Sequence, residues 1–272
     1  MLLSSMCFTF LNIFIKYLSD FSTYQKVFFR GLGSLFFTMG FLIYNNIPVL
    51  GNKRKLMVLR SLVGLTSMAL FFESTKYLSI GTAASLRYVS PIFAAILAVF
   101  FLKEKIFKVQ WLYFLMAFVG VLFIKGFDNQ INLLGLTLIL ISAFFSGLVY
   151  VVISKIGKSD HPVVIVNYFM WISTIIGGVL SIFNWKNPQG TEWLIFLSLG
   201  VFGYFGQLFM TKAYQLGSAN KIVPLKYFEV VFTMLMGMLW FGDSYPWLSV
   251  LGIVLVIVAL VLNVMYRQKI KS

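Results

Sequence analysis

Apolar residues run on in this chain in stretches about as long as a bilayer is thick, broken by short polar gaps. That pattern constrains the fold more than any single motif does. A hydrocarbon core of roughly 30 Å takes about 20 apolar residues per helix, with about 17–25 tolerated. Runs of that kind fall near 2–18, 24–44, 55–77, 82–102, 108–125, 133–153, 163–183, 192–214, 219–241 and 246–266. Lipid satisfies no backbone group, so only helices or a closed barrel can cross it. The runs are continuous rather than alternating, which selects helices. The gaps carry turn chemistry, as in Asn45-Asn46-Ile47-Pro48, Asp128-Asn129-Gln130, Asn187-Pro188-Gln189-Gly190 and Gly242-Asp243-Ser244. Pro162 and Pro246 stand where a helix accepts proline, in its first turn. With 60% apolar and 11% charged residues, against about 25% charged in soluble domains, the chain lacks the polar surface to cover a core. A soluble globular domain, a disordered chain and a disulfide scaffold are excluded. The expectation is an all-α, multi-pass membrane protein of ten transmembrane helices. Its first run, without a basic n-region or a small-residue cleavage site, reads as the first of those helices and not as a signal peptide.

The net charge of +14 does not point to nucleic acid, because Lys and Arg fall as singles, pairs and one triplet between apolar runs. A nucleic-acid footprint needs a basic stripe on one soluble face. The same residues orient the chain instead. With a cytoplasmic N-terminus, the inner segments hold Lys53, Arg54, Lys55, Lys103, Lys105, Lys108, Lys155, Lys158, Lys212, Lys221, Arg267, Lys269 and Lys271. The outer segments hold Lys16, Lys26, Lys76, Lys125 and Lys186. Both termini are therefore expected in the cytoplasm of a cell with this protein in its inner membrane. One cysteine, Cys7, and one histidine, His161, supply no converging ligand set, so neither a metal nor a cofactor is expected.

Sliding the chain along itself by 139 residues places Lys16 on Lys155, Arg87-Tyr88 on Lys226-Tyr227, Phe93 on Phe232 and Glu104 on Asp243. Charged and tyrosine matches at one shared offset divide the chain into two five-helix halves, residues 1–128 and 133–272. Five is odd, so the second half enters the membrane inverted relative to the first. Inverted repeats of this kind belong to secondary transporters, with substrate held near the midplane between the halves.

The stretch from Phe72 to Lys105, containing FESTKYLSIGTAASLRYVSPIFAAILAVFFLKEK, resembles the third-to-fourth helix signature of EamA-type transporters in the drug/metabolite transporter superfamily. KAYQLGSANKIVPLKYFEVVFTMLMGMLWFGD, from Lys212 to Asp243, resembles the eighth-to-ninth helix signature. The resemblance covers essentially the whole chain and implies ten helices, inverted five-helix repeats and a central substrate cavity lined by both halves. This sequence departs from the pattern at Lys103, where glycine is common, at Asp243, where glutamate is usual, and at Val230, opposite Pro91.

Charges at membrane depth are costly, about 2.5–3.5 kcal/mol on insertion scales, and mark function by default. The candidates are Arg30, Glu73, Arg87, Lys226 and Glu229. Lys226 and Glu229 lie three apart on one face and can neutralise each other. Arg30 has no acid within four residues, so its partner comes from another helix or a ligand; Glu73 and Glu229 are the alternatives. Arg60, nearer its helix start, is read as snorkelling to the headgroups. Arg87 and Tyr88 precede Pro91, whose missing N–H frees a carbonyl near residue 87. Lys226 and Tyr227 repeat that pair. Asn12, Tyr150, Asn167, Tyr168, Trp171 and Gln207 are further polar groups at depth, and Asn167 and Trp171 share a face by spacing. Gly200, Gly203 and Gly206 recur at helical spacing and read as a close-packing stripe.

These readings converge on a secondary transporter of a small polar metabolite such as an amino acid, an organic anion or an S-adenosylmethionine-like solute, working by alternating access. The expected partners are that solute and the bilayer, with proton coupling through Glu73 or Glu229 and a homodimer left open. No Gly-Lys-Ser/Thr phosphate loop is present, so a gradient must drive movement. The rivals are efflux of hydrophobic compounds, permitted by the many aromatics, and an integral membrane lipid-modifying enzyme, which would need a nucleophile, base or metal cluster at one depth.

Overall fold

A computed structural model describes residues 1–87, 89–102, 107–126, 132–216, 228–242, 244 and 246–271. All regular structure among them is helical: α1 (Leu2–Tyr17), α2 (Thr23–Tyr44), α3 (Arg54–Ser74), α4 (Ile80–Arg87), α5 (Ser90–Leu102), α6 (Lys108–Gly126), α7 (Leu133–Ile156), α8 (Pro162–Ser181), α9 (Glu192–Leu216), α10 (Phe228–Phe241) and α11 (Trp247–Lys271). Short 3₁₀ turns follow α7 and α8, at Gly157–Ser159 and Ile182–Asn184. Among the described residues, five helices are long and apolar enough to cross a membrane: α2, α3 and the segments Leu133–Ser159, Pro162–Asn184 and Glu192–Leu216. Large apolar side chains such as Phe36, Phe100, Leu112, Leu197 and Leu239 stand exposed around the bundle. Water would penalise that surface, and lipid would not.

The helix starts have local causes. Ser22 Oγ accepts the Gln25 N–H at 3.1 Å to cap α2. Asn132 Oδ1 accepts the amides of Leu134 and Gly135 at the head of α7. His161 Nδ1 accepts the Val163 N–H at 3.3 Å, with Pro162 filling the first turn of α8. The run expected as a single helix over 82–102 holds two helices, α4 ending at Arg87 and α5 beginning at Ser90. Pro91 has no amide proton to continue the ladder. The chain tightens there, with the Val89 N–H donating to Leu86 O and the Ile92 N–H to Val89 O at 2.9 Å. The expected run 219–241 carries helix from Phe228 onward, and its earlier residues lie outside the described ones.

The helices pack across the two halves of the sequence: α2 on α8, α3 on α7, α1 and α2 on α9, α5 on α7, α10 on α1 and α4, and α6 on α11. Small residues set the closest crossing. A Cβ on Gly200 would sit 2.6 Å from the Cα of Gly33, so α2 and α9 meet backbone to backbone. Gly203, one turn on, makes room for the Arg30 side chain. The glycine stripe therefore serves close packing. A serine ladder ties α3 to α7, where Ser142 Oγ donates to Ser67 O at 2.7 Å and Ser67 lies 2.7 Å from Ser146 Oγ.

Polar clasps close both ends. At one, the Asp160 carboxylate accepts the backbone N–H groups of Asn52 and Lys53. Gln215 there donates to the Gly157 and Asp160 carbonyls at 2.8 Å. At the other, the Gln25 amide exchanges hydrogen bonds with the Lys186 backbone, and Lys16 Nζ donates to Thr75 O at 3.1 Å.

Gly200→Ala should destabilise the protein by about 1–3 kcal/mol through overpacking. Gly40→Ala, at a site with nothing within 4 Å, should be neutral. Thermal unfolding of both variants in detergent checks the pair, and equal midpoints would refute the backbone-to-backbone contact.

Candidate functional site

Arg30 sits about two turns into α2, and α2 packs on both α8 and α9, so its side chain is directed into the bundle. It is 4% exposed. Its Nη1 donates to Met68 Sδ at 2.6 Å, and its guanidinium lies about 6 Å from the rings of Phe8 and Phe72. Its Nε has no hydrogen-bond partner among the described residues. Arg60 and Arg87 repel its charge, while Glu229 attracts it. The ion pair found among the described residues, Lys76 with Glu73 at 2.9 Å, does not involve it.

Arg60 is where the sequence reading fails most clearly. It does not reach the headgroups: it is 1% exposed, on the α3 face turned toward α8 and α9. Its Nη2 donates to Gln207 Oε1 at 2.7 Å, and its guanidinium stacks 4.3 Å from the centre of the Phe169 ring. Nε and Nη1 remain unpaired among the described residues. The signal available in the sequence was distance along the helix. Arg60 lies nearly two turns from the start of α3, about 9 Å at 1.5 Å per residue, which is too far for an easy escape.

Arg87 closes α4 at the helix break. Its guanidinium lies 4.4 Å from the centre of the Phe71 ring, and its Nε contacts Ser146 Oγ at 3.4 Å. Glu229, in the first turn of α10, is 6% exposed. Its Oε1 accepts the Asn12 side-chain amide at 3.4 Å, and its Oε2 has no partner among the described residues.

These groups share one cavity of about 570 Å³ of atom-free space, its mouth included. The first half contributes Asn12, Arg30, Arg60, Met68 and Arg87; the second contributes Ser146, Tyr150, Phe169, Gln207 and Glu229. Three guanidiniums face one carboxylate across it. Donors of this kind bind carboxylates and phosphates in pairs of parallel hydrogen bonds.

The remaining candidates lie elsewhere. Glu73 is at the end of α3, half-exposed, where it accepts from Thr23 Oγ1 at 2.6 Å and pairs with Lys76; it does not meet Arg30. Asn167 is buried between α8 and α2, accepting from Thr38 Oγ1 at 2.8 Å, and Tyr168 donates to Leu50 O at 2.8 Å. Trp171, expected on the Asn167 face, is 44% exposed on the bundle surface. Tyr88, Lys226 and Tyr227 lie outside the described residues. Lys26, counted among the outer cations, is fully buried.

The chain matches the EamA-like transporter family model twice, over residues 1–126 and 133–265. It is 28% identical to human solute carrier family 35 member G1 over 94% of its own length and 75% of that protein's. It is 26% identical to the pseudopaline exporter CntI of Pseudomonas aeruginosa, over 94% and 92% of the two chains. It is 25% identical to the S-adenosylmethionine uptake transporter of Rickettsia prowazekii, over 95% and 88%. A solved crystal structure shares the fold, with a TM-score of 0.69 over 99% of each chain at 13% identity. This multi-pass chain, with its charged cavity between two matched halves, belongs to the EamA-like transporter family.

Proposed function

We propose that this protein is a secondary transporter that moves a small polar metabolite through the central cavity by alternating access, with ten membrane spans arranged as two inverted five-helix repeats. The observation that carries the proposal is the placement around one cavity of buried charged groups from both halves with atoms that have no partner among the described residues. Charge buried without a partner costs several kcal/mol per ion. A chain retains it where a ligand completes it, and a solute in transit is such a ligand.

The repeat supports the same reading. Under the 139-residue offset, the starts of α2 and α6 fall on the starts of α8 and α11, and the end of α5 falls on the end of α10. The N-caps Ser22 and His161 correspond. So do three pairs of cavity residues: Leu11 with Tyr150, Arg30 with Phe169, and Met68 with Gln207. Packing follows the exchange of halves too, since α3 lies on α7 as α9 lies on α1, while α2 with α8 and α6 with α11 pair corresponding helices. Two similar units meeting at a polar cavity can rock against each other. The clasps at Asp160 and at Gln25 stand at the ends where such rocking would open a path. The charge bias of the loops favours an inner membrane with both termini cytoplasmic.

The relatives include an exporter of pseudopaline and an uptake system for S-adenosylmethionine, so likeness supports polar cargo without setting direction. The buried charges favour polar cargo over hydrophobic efflux. Glu229 is the cavity acid among the described residues, and any proton coupling is assigned to it and not to Glu73.

Counterflow in proteoliposomes, with labelled amino acids, organic acids, nucleosides and S-adenosylmethionine, should show exchange of a restricted set that Arg87→Gln abolishes. Unchanged exchange in the variant would remove Arg87 from the site. Arg60→Met should abolish the same exchange while holding or raising the thermal midpoint, because an apolar side chain of similar volume relieves a buried charge. A lowered midpoint would make Arg60 structural instead.

A further inference from the structure

Among the described residues the cavity charges are unevenly divided between the halves. Arg30, Arg60 and Arg87 all come from the first half, and Glu229 comes from the second. Among the described residues, the cavity donor atoms without a partner are Arg30 Nε together with Arg60 Nε and Nη1, and the acceptor without one is Glu229 Oε2. Each of these three side chains is more than nine-tenths buried. Gln207 already occupies one arm of Arg60, and Asn12 one oxygen of Glu229. What is left to a guest is a cationic wall on one half and a single anionic oxygen on the other.

Resting on the transporter reading above, we infer that the substrate is an amino-polycarboxylate: a solute with at least two carboxylates and one protonated amine. The guanidiniums of the first half take the carboxylates, and Glu229 of the second half takes the ammonium. The described groups carry two positive charges in excess; a dicarboxylate alone would cancel that excess but leave Glu229 Oε2 without a donor, whereas an amino-dicarboxylate lowers the excess to one and gives every charged group of the guest an opposite partner. A monocarboxylate zwitterion leaves two of the three guanidiniums uncompensated where the amino-dicarboxylate leaves one, and a dication meets repulsion from all three. The divided polarity also orients the guest, so that it bridges the two halves and favours the closed arrangement in which both walls touch it.

A five-carbon series of matched length tests this in wild-type proteoliposomes, by competition for counterflow. Its members are glutarate, glutamate, 5-aminopentanoate and cadaverine. Glutamate should compete best, at least about tenfold better than 5-aminopentanoate, the difference made by one charge-assisted hydrogen bond. Cadaverine should not compete. Glu229→Gln, in protein that keeps the wild-type melting transition, should bring glutamate and glutarate level; a preference for glutamate that survives in this variant overturns the inference. A series led by glutarate, cadaverine or 5-aminopentanoate overturns the inference while leaving the protein a transporter. If neither this series nor the broader solute panel exchanges, in protein that keeps its melting transition, both readings fall.

Discussion

A guanidinium shut away from water and without a carboxylate beside it is expensive, and among its described residues this bundle buries two of them and half-buries a third around the same space. The rest of the structure accommodates that cost. Phe8, Phe72, Phe71 and Phe169 offer ring faces to the three cations, an attraction worth up to about 2 kcal/mol each when desolvated. Gln207 and Ser146 supply neutral oxygen. Neither device neutralises charge. The arrangement holds the arginines in place while leaving their charge available, which suits a site that must bind a solute and then release it.

The backbone features answer to the same requirement. The break between α4 and α5 ends a helix at Arg87, so that its side chain leaves a helix terminus and not a continuous face. The contact of Gly33 with Gly200 draws α2 against α9 and carries Arg30 past Gly203 into the cavity. The serine ladder between α3 and α7 fixes Ser146 opposite Arg87. Close packing by small residues is how helices associate when lipid offers no hydrophobic gain. Here it also sets the depth at which the charges meet.

Most of the helical runs, the first-turn proline of α8 and the role of the glycine stripe were legible in the sequence, because each depends on depth and local spacing. Which way a side chain faces around its helix was not. Glu73 and Glu229 look alike as acids at depth, yet one lies at a half-exposed helix end with Lys76 and the other lines the cavity. Asn167 and Trp171 share a face by spacing, but that face passes from core to surface along α8: Asn167 is buried and Trp171 exposed. Arg60 was misplaced because a hydropathy run sees its nearness to the triplet Lys53, Arg54 and Lys55 and not the helices packed over it. Its stacking on Phe169 depends on α3 meeting α8, a contact that no local pattern encodes.

The central claim is that the arginine-lined cavity opens to each side of the membrane in turn. Cys7 is the single cysteine of the chain, so Cys7→Ser provides a background in which Ser146→Cys, on the cavity wall, is the sole thiol. A membrane-impermeant thiol reagent should label that position from either face of sealed vesicles, and the transported solute should slow labelling from both. Labelling from one face alone, or labelling that the solute leaves unchanged, would contradict a cavity that alternates between the two sides.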